Sequence, residues 1–186
     1  MVGGLSSAQR RCLEGRVASD PKQTARRHAS LILISNAWGK ADVDTWESLV
    51  LKHLKEVDRS DPALCYRLAL HLGEQGPRRS AEVIRWAELA MENARSRWTD
   101  GDFTDKMYAL HKLRTKAASE LWWVYEQRRL KDQSTATRDA TEKYRGLAKN
   151  FAKEWFLYAR RAGKDTTEAI EMCRSAAGGL EFCKDA

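Results

Sequence analysis

Residues 60–94, SDPALCYRLALHLGEQGPRRSAEVIRWAELAMENA, leave this chain few ways to fold. Ser60 and Asp61 are side chains that cap helix N-termini, and Pro62 suits a first helical position, where its missing N–H would have had no partner. Leu64, Leu68 and Leu72 then recur every four residues on one face. Gly73, Gly76 and Pro77 stop that helix, because glycine relaxes the backbone and proline cannot continue the hydrogen-bond ladder. Ser80 is placed to cap a second helix, whose apolar face is Val83, Trp86 with Ala87, Ala90 and Ala94. The small alanines admit a close neighbour. The stretch predicts two helices folded back on each other.

The rest of the chain varies this theme. Leu5–Ser19 reads as a short helix or docked extension, with Leu13 and Val17 one turn apart. A helix over 21–37 points Ala25, Ala29, Ile32 and Asn36 inward and ends at Gly39. One over 42–57 carries Trp46, Leu49 with Val50, Leu54 and Val57. Beyond the turn at Thr99-Asp100-Gly101-Asp102, a long helix over 103–130 buries Met107, Leu110, Leu113, Ala117, Leu121 and Val124. Trp122 and Trp123 cannot both share that stripe at 100° per residue. The polar run 128–139 holds the break. A second long helix, 140–162, places Tyr144, Leu147, Phe151, Trp155, Tyr158 and Ala162 on one face, and Gly163 stops it. Thr166 or Thr167 caps a last helix with Ala169, Ile170, Cys173 and Ala176, closed by Gly178-Gly179. No segment alternates with period two, so no sheet is expected. The expected fold is all-α: about three antiparallel helix hairpins in one domain, 20–186, preceded by an N-terminal extension, 1–19.

Charge and cysteine content bound the function loosely. The net charge is +7, with charges of both signs interleaved. This suits acidic protein partners, nucleic acid or anionic lipid. No apolar run reaches membrane-spanning length. Arg10 and Arg11 are not followed by an apolar stretch, so no secretory leader is expected. A leader removed ahead of Met1-Val2-Gly3-Gly4 would leave no trace, so export stays open beside a cytoplasmic reading. The four cysteines, Cys12, Cys65, Cys173 and Cys183, form no CxxC. A Cys173–Cys183 disulfide is the pairing expected if the chain meets an oxidising compartment.

Catalytic signatures are missing from the sequence. No two of His28, His53, His71 and His111 have helical metal-ligand spacing. There is no GxSxG elbow and no phosphate loop, so neither an enzyme nor a cofactor is expected. Seven tryptophans are many for 186 residues. Trp46, Trp86 and Trp155 fall on apolar stripes. Trp122 and Trp123 are the best candidates for a contact surface, since tryptophan buries much area at little entropic cost. Arg67, His71, His111 and Arg114 can line a basic groove suited to an acidic peptide or a carboxyl terminus.

These patterns resemble the tetratricopeptide-repeat family, which pairs helices in units of about 34 residues. Leu68-Ala69, Gly76, Ala81 or Val83, Trp86 and Ala90 look like one such repeat, Val57 to Pro62 like the end of the one before, and Trp155 to Ala176 like another. Asp20, Asp61 and Asp102 are spaced 41 residues apart, within the range of two-helix repeats. The two central helices are longer than a regular repeat, and the family's carboxylate clamp of Lys, Asn and Arg is not matched. The resemblance implies a curled array of hairpins whose first helices line a concave, peptide-binding face. The expected function is a non-enzymatic adaptor or scaffold holding a protein or peptide segment in a helix-lined groove. A basic helical nucleic-acid-binding protein is the alternative.

Overall fold

The computed structural model describes residues 4–177, and every side chain among them except those of residues 100, 101 and 177. It is 82% helix, and no strand occurs among the described residues. The helices are α1 (Ser7–Ser19), α2 (Gln23–Gly39), α3 (Val43–Glu56), α4 (Pro62–Gly73), α5 (Ser80–Ala94), α6 (Asp100–Arg129), α7 (Thr135–Arg161) and α8 (Thr167–Ala177), with a 3-10 turn at Pro77–Arg79 ahead of α5. Packing divides the chain into two compact units, Met1–Leu64 and Cys65–Ala186.

In the first unit α1 packs on α2 and α2 on α3. A reciprocal capping box opens α1: Gln9 N–H donates to Ser6 Oγ, and Ser6 N–H to Gln9 Oε1. Val17, Ala29, Leu33 and Val57 form a buried cluster, with Leu5, Leu13 and Leu49 against it. The Arg26 guanidinium ties two helix ends together, donating to Val17 O at 2.9 Å and Glu56 O at 3.1 Å, where carbonyls lack helical partners. The buried face of α2 is Ala29, Ser30, Leu33, Ile34 and Ala37. This corrects the stripe expected through Ala25, Ile32 and Asn36, which are only half-buried. α2 has a neighbour on one side in α1 and on another in α3, so its inward arc is wider and turned from the single stripe that periodicity suggests.

In the second unit α5 packs on α6, α6 on α7 and α7 on α8. Cross-helix contacts pair Tyr125 with Tyr144, Arg114 with Glu154 and His111 with Tyr158, so numbers rise along one helix as they fall along the other. α6 and α7 are therefore antiparallel. Trp155, Ala159 and Ala169 form one buried cluster, with Tyr108, Phe156 and Met172 against it. Gly163, with φ +62°, ends α7 in the left-handed region, and Lys164 N–H reaches back to Ala159 O at 2.9 Å.

Several sequence expectations need correction here. Ser80 does not cap α5; its Oγ donates to Glu120 Oε2 of α6 at 2.6 Å, and the 3-10 turn precedes the helix instead. Asp61, by contrast, does cap α4, accepting from Ala63 and Leu64 N–H at 3.1 Å each. The break between α6 and α7 is only Leu130–Ser134, because Ser134 Oγ accepts from Thr137 N–H and starts α7 inside the polar run. Cys173 is fully buried, while Cys183, its expected partner, lies outside the described residues.

Candidate functional site

The α6–α7 pair carries two very different polar surfaces along its length. Toward α8, every cation that α6 presents meets a carboxylate. Lys106 pairs with Asp102 at 2.8 Å, Lys112 and Lys116 both reach Glu168 of α8, and Arg114 reaches Glu154 of α7. Partial burial works against the Glu168 charge, but the two lysines outweigh it and hold its carboxyl below the usual value. Arg114 is buried, lies 4.3 Å over the Phe151 ring, and donates to His111 Nδ1 at 3.0 Å. His111, also buried, stacks on Tyr158 at 4.9 Å. Burial, and secondly the Arg114 charge, push the His111 pKa down to about 3. Its imidazole is neutral at physiological pH, with Nδ1 as the acceptor for Arg114 and the proton on Nε2.

Toward the turn at Leu130–Ser134, aromatic rings take the place of carboxylates. Tyr125 and Tyr144 stack across the helix pair at 5.2 Å with 16° between their planes. Three cations lie over this aromatic group: Arg128 over Tyr125 at 5.2 Å, Lys143 over Tyr144 at 5.4 Å, and Arg145 over Trp122 at 5.9 Å. Among the described residues, none of the three has a carboxylate within ion-pair distance, and neither does Lys131. An aromatic face holds a guanidinium in place without using its N–H donors, so these cations remain able to receive an acidic group. Trp123 is 64% exposed and Leu130 63%. A shallow groove of about 480 Å³ at this end is lined by Tyr125, Arg128, Lys131 and Thr137, with one acid, Asp132, whose carboxylate is held by Ser134 and Thr137. Glu126 is the one acid on this part of α6; Arg129 engages it with two hydrogen bonds, at 2.9 and 2.6 Å, which depress its pKa, and the more distant Arg145 charge adds a weaker pull in the same direction.

The candidate residues from the sequence fall into three places. Trp122 and Trp123 belong to the aromatic end. Trp122 is half-buried under Arg145, and Trp123 is open to solvent. His111 and Arg114 belong to the buried network. Arg67 and His71 stand one turn apart on α4; Arg67 is exposed and His71 bonds to Gln75 at 2.7 Å. Tyr125, Arg128, Lys143 and Arg145 carry no site signal of their own in the sequence, and Tyr144, expected on the apolar face of its helix, is half-buried and stacks on Tyr125. The signal for them is the pairing of two aromatic–basic stretches across a helix turn, which needs the α6–α7 register to be seen.

The first unit holds a second polar constellation that sequence spacing does not reveal. His53, Asp58 and Asp61 bring one ligand-type atom each within 4.8 Å of one another. His53 Nδ1 meets Ser30 Oγ at 3.0 Å. Arg27 lies 3.2 Å from Asp58 Oδ2 and, across 34 positions, 2.8 Å from Asp61 Oδ2. The Arg27 guanidinium already pairs with both carboxylates of the group, and Asp61 is also committed to capping α4. This arrangement ties α2 to the start of α4. Ser30 and His53 are both buried within helices.

No family model matches the chain, no curated protein matches it, and no solved structure matches its fold.

Proposed function

We propose that this chain is a non-enzymatic helical adaptor that holds an acidic segment of a partner protein against the turn end of α6–α7. One observation carries the reading. Three aromatic rings, Trp122, Tyr125 and Tyr144, each carry a cation that has no carboxylate within ion-pair distance among the described residues, and Trp123 is exposed on another face of the same stretch of α6. Toward α8, the cations of α6 are matched by acids of the chain itself. Exposed tryptophan and arginine are the residue types that dominate interface energetics. A carboxylate brought to Arg128 or Arg145 gains a charge-assisted hydrogen bond on a cation already ordered by its ring.

The tetratricopeptide-like arrangement belongs with this proposal. Sequential packing of α2 on α3 and of α7 on α8 supports it, while the lengths of α6 and α7, 30 and 27 residues, set the central pair apart from a regular repeat. A single nucleic-acid strand also favours rings interleaved with cations, and this is the second reading.

The test is affinity capture from nuclease-treated lysate, comparing wild type with Arg128→Glu, a substitution at an exposed cation of this surface. The adaptor reading expects one or two stoichiometric proteins that survive nuclease and are depleted by the substitution. Loss of all partners on nuclease treatment, or at modestly raised salt, moves the function to nucleic acid.

A further inference from the structure

We propose that the first unit binds a fatty carboxylate of about twelve carbons in a groove along the outer face of α2. The groove has a volume of about 780 Å³, within the range of small-molecule sites. Its wall is a single helical stripe, His28, Leu31 with Ile32, Asn36 and Lys40, closed on the other side by Leu5 ahead of α1. Twelve residues of helix from His28 to Gly39 rise about 16 Å, which matches an extended acyl chain of that length. The stripe is apolar at Leu31 and Ile32 and polar at His28 on one side and at Ser35, Asn36 and Lys40 on the other. Leu5, Leu31 and Ile32 supply the floor.

Two observations place the carboxylate at the Lys40 end. Lys40 is the only lysine or arginine lining the groove, no acid lines it, and among the described residues no carboxylate lies within ion-pair distance of its ammonium, though its charge, behind the hydrogen bonds from Thr45, helps to hold the Asp42 carboxyl below the usual value. Asn36, one turn before Lys40, lines the same end and has a buried Oδ1 without a hydrogen-bond partner. Rotating the Asn36 amide exchanges that oxygen for Nδ2–H, a donor to a carboxylate. The Lys40 amine approaches the backbone at Gly4, where a Cβ would lie 3.2 Å from Nζ, so the cation closes the end of the groove. An amphiphile with an apolar chain and one negative head satisfies the floor, the lysine and the asparagine together. An apolar helix of a partner protein would leave the last two unmatched.

Calorimetric titration of the full chain with sodium dodecanoate, kept below its micelle concentration, tests this. The expected result is saturable one-to-one binding, weakened roughly tenfold by Lys40→Gln and abolished by Ile32→Glu, with dodecanol binding more weakly and acetate not at all. Lys40 is exposed, so Lys40→Gln keeps the test valid if Ile32→Glu fails to fold. Absence of saturable binding overturns the proposal. So does dodecanoate binding that Lys40→Gln leaves unchanged, which would mark adsorption of the chain to an apolar surface.

Discussion

The two ends of the α6–α7 pair are built from similar residues and do opposite things. At the α8 end, Arg114 is buried on Phe151 and committed to Glu154 and His111. At the turn end, Arg128 and Arg145 lie on Tyr125 and Trp122 with no carboxylate partner among the described residues. In both places an aromatic ring orients the guanidinium. What differs is whether the chain also provides the anion. Where it does, the cation holds helices together; where it does not, the cation stays available to another molecule. Basic charge on a helical protein is thus better read by its partners than by its total.

The sharpest way to break this contrast is at Arg114. Replacing it with alanine removes the contact on Phe151 and strands His111 and Glu154. Glu154 is half-exposed, which softens the loss, so the expected cost is about 2–3 kcal/mol in urea unfolding. Equal stability of the variant and wild type would remove the structural role assigned to the buried end.

Acid should find the same end. His111 has a folded-state pKa of about 3, against an ordinary value of 6.5. Between these values the unfolded chain holds a proton that the folded chain lacks, so stability is complete above about pH 6.5 and falls as pH drops toward 3. At pH 5 this histidine alone accounts for a loss of about 2 kcal/mol relative to pH 7. His111→Gln keeps a neutral polar side chain and should flatten that slope, as followed by thermal unfolding at a series of pH values. An unchanged slope would place the acid sensitivity elsewhere.

Smaller effects sharpen the comparison. Glu168→Gln unlinks Lys112 and Lys116 from α8, and because all three are partly exposed the expected cost is about 0.5–1 kcal/mol. Trp123→Ala should change stability by less than about 0.5 kcal/mol, since the ring is mostly in solvent. A larger loss for Trp123→Ala than for Arg114→Ala in the same unfolding series would invert the assignment of the two ends.

Much of the architecture is legible in the sequence because apolar spacing carries it. Leu64, Leu68 and Leu72 are buried as the four-residue repeat demands, and Trp46, Trp86 and Trp155 are buried on their stripes. Asp61 with Pro62 marks the start of α4. Polar roles were harder. Ser80 looks like a cap but bonds to a glutamate 40 residues away, and no local pattern could name that partner. His53 lies among Val50, Leu54 and Val57 in sequence, which hints at burial, yet its neighbours Ser30 and Asp61 come from other segments. The tryptophan pair drew attention by composition, while Tyr144, Lys143 and Arg145, which complete that surface, depend on the register between two helices.

The measurement that bears most directly on this account sets the two ends of α6–α7 against each other. Arg128→Glu with Arg145→Glu reverses charge at the open end; Lys112→Glu with Lys116→Glu reverses it at the paired end. Each double variant is used for quantitative affinity capture from nuclease-treated lysate beside wild type, after circular dichroism has verified its helix content. The account predicts that the first pair loses the captured partner at least tenfold and that the second retains it. Retention by the first pair, or equal loss from both, would contradict it.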